Sequence, residues 1–187
     1  MRKLSVLLVL TFILLNDLYS QEKITSKEVG LYFSSLNSFG VRYKFGNEKR
    51  MFRLTALSLS VGDGSDNDGT GFITRQKSAG AGLNFGVELP VRITDVFNFY
   101  YGPELRGSFN RQNYFLSPSS HQIIKEYSGG IGLILGFSRS FQSNITASVE
   151  IVPGFSYNKK LEGNIETIDY GFGLSSNTAA ITIGYRF

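Results

Sequence analysis

The feature that most constrains this chain is a strict alternation of residue types close to its C-terminus. Ala179, Ile181, Ile183, Tyr185 and Phe187 alternate with Ala, Thr, Gly and Arg. A period of two places the two sets on opposite faces of a β-strand. The same alternation recurs along most of the chain, which predicts a series of strands that each have one apolar face and one polar face.

Eight strands are predicted from the alternating segments and the turn residues between them. They cover approximately 28–36, 39–45, 52–60, 78–91, 97–106, 127–137, 145–156 and 178–187. Long loops are predicted over 61–77, 110–122 and 158–177, the last of which leaves room for strand extensions at its two ends. The third strand loses its phase beyond Ala56, because Leu57 and Leu59 fall on the polar side. Either a β-bulge or an apolar patch inside the structure would explain this change.

The final strand, which ends in Tyr185-Arg186-Phe187, resembles the terminal strand of Gram-negative outer-membrane β-barrels. Taken over its whole length, the alternating region is similar to small OmpA-type and OmpX-type transmembrane barrels. This resemblance implies an all-β fold, an eight-stranded antiparallel up-and-down transmembrane β-barrel, closed by pairing of the last strand with the first. It also implies that Ile183, Tyr185 and Phe187 form an insertion signal that the barrel-assembly machinery reads.

The connections alternate between short and long after strand two, as they do in bacterial barrels with an even number of strands. This arrangement predicts short periplasmic turns, long external loops and two periplasmic termini. The resemblance implies that the barrel lies in the cell outer membrane, with lipid and lipopolysaccharide around it. Aromatic residues agree, because they cluster at both predicted ends of the strands, as the two interfaces of a bilayer favour.

The first 20 residues are predicted to be a secretory signal peptide. Arg2 and Lys3 precede an apolar run from Leu4 to Leu15, which is too short to span a bilayer as a helix, and Ser20 suits the cleavage position. An uncleaved anchor is the alternative. Residues 21–187 then form the barrel domain.

The distribution of charge separates a membrane barrel from a soluble one. Phe and Leu share one strand face, whereas Arg, Glu, Ser, Asn and Gly share the other. A soluble barrel of the lipocalin kind keeps its apolar residues inside, so the charged face would point to water. We expect the opposite arrangement here, with the apolar face in contact with lipid.

The interior of an eight-stranded barrel is just wide enough for side chains to fill it. Charged groups can be buried there only if they are paired and hydrogen-bonded. We therefore expect an interior ion-pair network. Its predicted members are Arg42, Arg53, Glu88, Glu104, Arg106, Glu150 and Arg186, with Lys44 also pointing inward.

Other motifs give weak signals for chemistry. His121 is the only histidine and lies in a predicted loop, where its neighbours do not match the His-Ser pair of lipid A deacylases. The segment Asp63–Gly69 resembles a calcium loop, but Asp68 and Thr74 stand where an EF-hand needs Gly and Glu. Asn144-Ile145-Thr146 spells a glycosylation triplet at a predicted periplasmic turn. No metal or other cofactor is predicted.

The formal charge of +4 is too small and too scattered to indicate a nucleic-acid partner. The sequence favours a non-enzymatic outer-membrane protein with a closed polar lumen, which acts structurally or through external loops that could bind an unknown protein. The alternatives are an interaction subunit of an export or assembly machine, a narrow ion channel with porin-like conduction, and a lipid-modifying enzyme.

Overall fold

The computed structural model describes residues 26–35, 38–67, 73–117, 120–141, 144–173 and 179–187. The signal peptide predicted at 1–20 lies outside these residues. The described residues form strands and no helix, so they contain no helix long and apolar enough to cross a membrane. The strands are β1 (Ser26–Ser35), β2 (Ser38–Gly46), β3 (Met51–Asn67), β4 (Ile73–Arg92), β5 (Phe97–Ser117), β6 (Ser120–Ser140), β7 (Ile145–Ile151), β8 (Gly154–Glu162), β9 (Ile165–Gly173) and β10 (Ala179–Arg186).

The ten strands of the described residues occupy eight positions around a closed wall. Each of β1 to β5 pairs antiparallel with the next strand, so that β5 pairs with β6. Both β7 and β8 pair with β6, in one continuous register that Pro153 interrupts. β9 and β10 occupy the last position, beside β8 and β7 respectively, and β10 closes the ring by pairing with β1. The predicted eight-stranded antiparallel barrel is confirmed.

The upper part of the barrel, opposite the end that holds Ser26 and Phe187, differs from the prediction. Within the segments 61–77, 110–122 and 158–177, predicted as long loops, the described residues are largely strand, and 68–72, 118–119 and 174–178 lie outside the described residues. β3 continues to Asn67 and β4 begins at Ile73, while β5 and β6 extend to Ser117 and from Ser120. β8 and β9 form a hairpin around a two-residue Gly163-Asn164 turn, in which Gly163 has a φ of 60°.

The phase change in β3 has a structural cause. Leu57 pairs with Gly82, whereas Ser60 pairs with Gly80, so three steps along β3 match two steps along β4. This is the geometry of a β-bulge. Leu57 nevertheless points into the interior, where its side chain contacts Gly82, so an apolar residue does line the upper lumen.

The two faces of the wall have opposite polarity. Leu31, Leu105, Ile131 and Ile183 lie on the outer face and are each more than half exposed, whereas the inner face holds charged and hydroxyl side chains. Aromatic rings contact one another on the outer face near the lower end, where Phe45 stacks on Phe52. Further contacts involve Phe97, Phe99 and Phe137 near the lower end, and Phe109, Tyr127, Phe155, Tyr157 and Tyr170 higher up. This polarity is opposite to that of a soluble barrel with an apolar interior.

The interior leaves room for large side chains where glycine lines the wall. Gly136 lies directly against Tyr100, and a Cβ at this position would lie 2.4 Å from Cζ of the tyrosine. Tyr100 is 2% exposed and packs with Ile134 and Val152, so its ring has little freedom to move away.

We expect Gly136→Ala to destabilise the barrel by about 1–3 kcal/mol, because overpacking a filled interior forces side chains from their rotamers. Chemical unfolding of the protein in detergent micelles measures the change. Gly129→Ala is the matched control, because the nearest atom to a Cβ there is 3.9 Å away. Equal stability of the two variants would contradict this account of the packing.

Candidate functional site

The interior that the described residues enclose has two open spaces separated by buried side chains. The upper vestibule is a cavity of about 460 Å³, and the lower vestibule is a cavity of about 500 Å³. Between them lie Arg42, Arg53 and Glu150, whose side chains are at most 1% exposed. These side chains therefore close the lumen at its middle.

Three charged groups from three strands form the centre of this partition. Arg42 on β2 reaches across the barrel to β7, where its Nη2 and Nη1 donate to the two carboxylate oxygens of Glu150 at 2.8 and 3.0 Å. Arg53 on β3 donates from Nη1 to Glu150 Oε2 at 2.7 Å. Arg42 also donates to Thr55 and Thr182, each at 3.0 Å. Such pairing is what makes charged groups tolerable in a solvent-excluded interior.

Arg53 joins three carboxylates at once. Besides Glu150, it donates to Glu104 from Nε at 3.0 Å and also from Nη2. Its Nη1 further donates to Glu88 at 3.2 Å. These carboxylates come from β4, β5 and β7, so one guanidinium ties β3 to three other strands. Since Arg53 is fully buried, it depends on these partners for the hydrogen bonds that water would otherwise supply.

The network continues downward through a second layer. Lys44 Nζ lies 3.1 Å from Glu88 and 3.5 Å from Glu28, and Arg186 Nη2 lies 3.3 Å from Glu28. Glu28 was not among the predicted network residues. It precedes Gly30 by two positions and shares its inward phase, so the alternation of strand one could have identified it.

Upward, the network ends at Arg106. This side chain donates from Nε to Glu104 at 2.8 Å and from Nη2 to the carbonyl oxygen of Val152 at 2.9 Å. It is partly exposed and lines the upper vestibule. The structure thus brings the seven predicted residues and Lys44 into one connected set of side chains.

Two tyrosines complete the partition. The Tyr32 ring lies beneath the upper vestibule, with Arg42 Cζ 4.4 Å from its centroid. On the lower side, the Tyr100 hydroxyl donates to Glu150 at 3.0 Å, and Lys44 Nζ lies 5.2 Å from the ring centroid. Both residues have the inward phase of their strands, but no pattern in the sequence indicated that they would enclose the charges.

The remaining candidate residues do not form a site in the described part of the chain. The backbone of His121 lies in β6 opposite Phe115, and its side chain lies outside the described residues. The backbone of Asp63–Asn67 is part of β3 rather than a loop. Asn144 adopts a φ of 61° in the turn before β7. No group of three potential metal ligands occurs among the described residues.

The C-terminal residues pair along the closing seam of the barrel. Ile183 lies opposite Leu31, Tyr185 lies opposite Val29, and both side chains are exposed on the outer face. The Phe187 amide donates to the Lys27 carbonyl oxygen at 2.8 Å, and the Lys27 amide returns a hydrogen bond at 3.0 Å. The seam is therefore hydrogen-bonded to the last residue.

The upper hairpin of β8 and β9 carries a partly exposed ion pair above the buried network. The hydrogen bond from Lys160 to Glu162, 2.9 Å long, raises the pKa of Lys160 above its usual value. Because this pair is solvent-exposed, it contributes little to stability, unlike the buried pairs below it.

Comparison with known proteins shows what the fold is similar to. A major outer membrane protein from Thermus thermophilus aligns with a TM-score of 0.53 at 11% identity, over 87% of this chain and 99% of that one. CarO from Acinetobacter baumannii aligns at 0.41 and 9% identity, over 90% and 100%. Neisserial surface protein A aligns at 0.35 and 16% identity, over 86% and 92%. No protein-family model and no curated protein sequence matches the chain.

The buried network gives a stability prediction. Replacing Glu104 or Glu150 by Gln removes a charge that neutralises Arg53, and we expect each variant to lose about 3–5 kcal/mol of unfolding free energy. Equilibrium unfolding in detergent micelles measures the loss. Glu166→Gln is the control, because its pair with Lys159 is exposed and should be worth at most about 1 kcal/mol. Unchanged unfolding of both buried variants would refute the role given to the network.

Proposed function

We propose that this chain is a non-enzymatic integral protein of the cell outer membrane, which acts structurally or through its upper end. The observation that carries the proposal is the inverted polarity of a closed barrel. Among the described residues, large apolar side chains cover the outside, whereas nine charged side chains form one connected network in the interior. A closed barrel satisfies its own backbone hydrogen bonds, so lipid is a suitable solvent for this outer face.

The proposed orientation places the termini in the periplasm. The strands pair by short turns at the lower end, and β3 to β6, β8 and β9 rise higher at the opposite end. Bacterial barrels have short periplasmic turns and longer external segments, which supports assigning the upper end to the cell surface. In this orientation, lipopolysaccharide surrounds the upper aromatic residues, and the barrel-assembly machinery engages Ile183, Tyr185 and Phe187 of the final strand.

The closed interior favours a non-conducting barrel over a narrow channel. An ion crossing the lumen would have to separate Arg42 and Arg53 from Glu150, and these groups exchange hydrogen bonds of 2.7 to 3.0 Å. Opening this layer leaves charges without partners, and the desolvation of each is expensive. An interaction subunit of a larger machine remains the second candidate, because the upper strands could present a surface to a protein partner.

Membrane placement can be tested in a Gram-negative host. We expect the full-length protein to fractionate with the outer membrane and to run as a heat-modifiable barrel on gels. Phe187→Ala should lower the folded fraction, because it removes the terminal aromatic of the proposed insertion signal. Phe141→Ala is the matched control, since Phe141 is also exposed but lies at the turn before β7. Recovery of a folded soluble protein would overturn the proposal.

Conduction is tested separately in planar lipid bilayers. We expect no stepwise conductance from the purified barrel, because the Arg42–Glu150–Arg53 layer closes the lumen. A general porin inserted under the same conditions is the positive control. Reproducible unitary steps that disappear in heat-unfolded samples would favour the channel alternative instead.

A further inference from the structure

The upper vestibule has the features of a binding site for an anion. Its floor is formed partly by Arg106 and Asn84, which lie directly opposite each other on β5 and β4. Side chains at opposed positions of an antiparallel pair are close enough to contact one ligand. Both residues carry N–H donors, and both line the same cavity.

Asn84 is the more informative of the two residues. It is 6% exposed, yet its side chain makes no hydrogen bond with any residue that the structure describes. Its amide borders the open vestibule rather than a sealed interior, so water or a bound molecule can supply the partners that polar groups require.

The charge balance around Arg106 indicates the sign of the ligand. The whole network holds five cations and four carboxylates, which are Arg42, Lys44, Arg53, Arg106 and Arg186 against Glu28, Glu88, Glu104 and Glu150. Arg53 binds Oε2 of Glu104, and Arg106 binds Oε1 of the same carboxylate, so one negative charge is shared by two guanidinium groups. Nη1 of Arg106 has no partner in the described part of the chain. The floor therefore has an excess of positive charge at its exposed edge.

The walls suit a small polar molecule. Ser34, Ser156 and Asn158 line the cavity, Ser108 and Ser128 are hydrogen-bonded to each other across β5 and β6, and several glycines keep the space open. The wall around the vestibule is lowest above β1 and β2. The pairing of β2 with β3 ends at Gly40 and Leu57, whereas β3 continues upward beyond this point. A ligand could therefore enter from above or from the side.

We propose that the upper vestibule binds a small anionic molecule, whose carboxylate or phosphate oxygens accept hydrogen bonds from Arg106 and Asn84. The ligand can be a free solute or the headgroup of a lipid that enters over the low wall. The proposal extends the proposed function by assigning a ligand class to the upper end. Anion binding does not depend on membrane insertion, so this proposal and the proposed function can fail separately.

The test uses the full mature barrel, isotopically labelled, in lauryldimethylamine oxide micelles, which contain no phosphate. Glycerol 3-phosphate is the anionic probe, and glycerol is its neutral counterpart. We expect saturable NMR shifts of the Asn84 side-chain amide and of the Gly130 and Ser156 backbone amides with glycerol 3-phosphate alone. Lysophosphatidic acid is the lipid probe, and it is titrated in a parallel experiment. Tighter binding of the lysolipid assigns a lipid headgroup, and binding of only the soluble probe assigns a free solute.

Variants then test the named donors. Arg106→Gln should weaken binding by about tenfold or more, and Asn84→Leu by about threefold, as expected for a charged and a neutral hydrogen bond. Arg106→Lys should retain most of the affinity. Arg111→Gln is the matched control, because Arg111 is exposed on the same strand with the opposite phase.

Folding of each variant is checked by its heat-modifiable gel mobility. Should Arg106→Gln fail to fold, Ser128→Asp provides an independent test, because it adds a carboxylate to the wall without removing a network residue. It should abolish binding of the anion. Equal responses to glycerol and glycerol 3-phosphate, or unchanged affinity in the folded Arg106 and Ser128 variants, would overturn the proposal.

Discussion

Arg53 imposes the constraint on which the rest of the interior depends. Its guanidinium is fully buried, so its five N–H groups need acceptors that come from the protein itself. Glu88, Glu104 and Glu150 supply them from three different strands. These strands can meet the same side chain only if the wall closes at this diameter and in this register. Closure of the sheet and neutralisation of the interior are therefore coupled requirements.

The alternation of residue types was sufficient to predict the wall but not the partners inside it. The outward phase of Leu31 and Leu105, and the inward phase of Arg42 and Glu150, follow directly from a period of two. The pairing of Arg42 with Glu150 does not follow, because these residues are 108 positions apart and meet across the lumen. Their contact depends on the barrel diameter and on strand register, which no local pattern contains.

The errors in the upper barrel have a different origin. The segment Gly62–Asn67 is rich in Asp, Ser and Gly, which disfavour strands when they are considered alone. It is nevertheless a strand because it continues the ladder with β4, where Asp63 pairs with Lys77 and Ser65 pairs with Arg75. The charged residues of the β8–β9 hairpin similarly led to the prediction of a loop, with strand extensions only at its two ends. Strand propensity describes a residue in isolation. The conformation of these segments is instead determined by a neighbouring strand, which supplies their backbone hydrogen-bond partners.

The interior is asymmetric in a way that separates binding from conduction. The lower part of the network pairs Lys44 and Arg186 with Glu28 and Glu88, and Glu88 also accepts a hydrogen bond from Arg53 above it. The network as a whole has five cations for four carboxylates, and Arg106, which shares Glu104 with Arg53, faces the upper cavity. An anion that reaches Arg106 gains an interaction there. To move further, it would have to pass the Tyr32 ring and then approach Glu150, whose charge repels it and whose partners are already engaged. The same ion pairs that stabilise the barrel would therefore stop an anion at the floor of the upper vestibule.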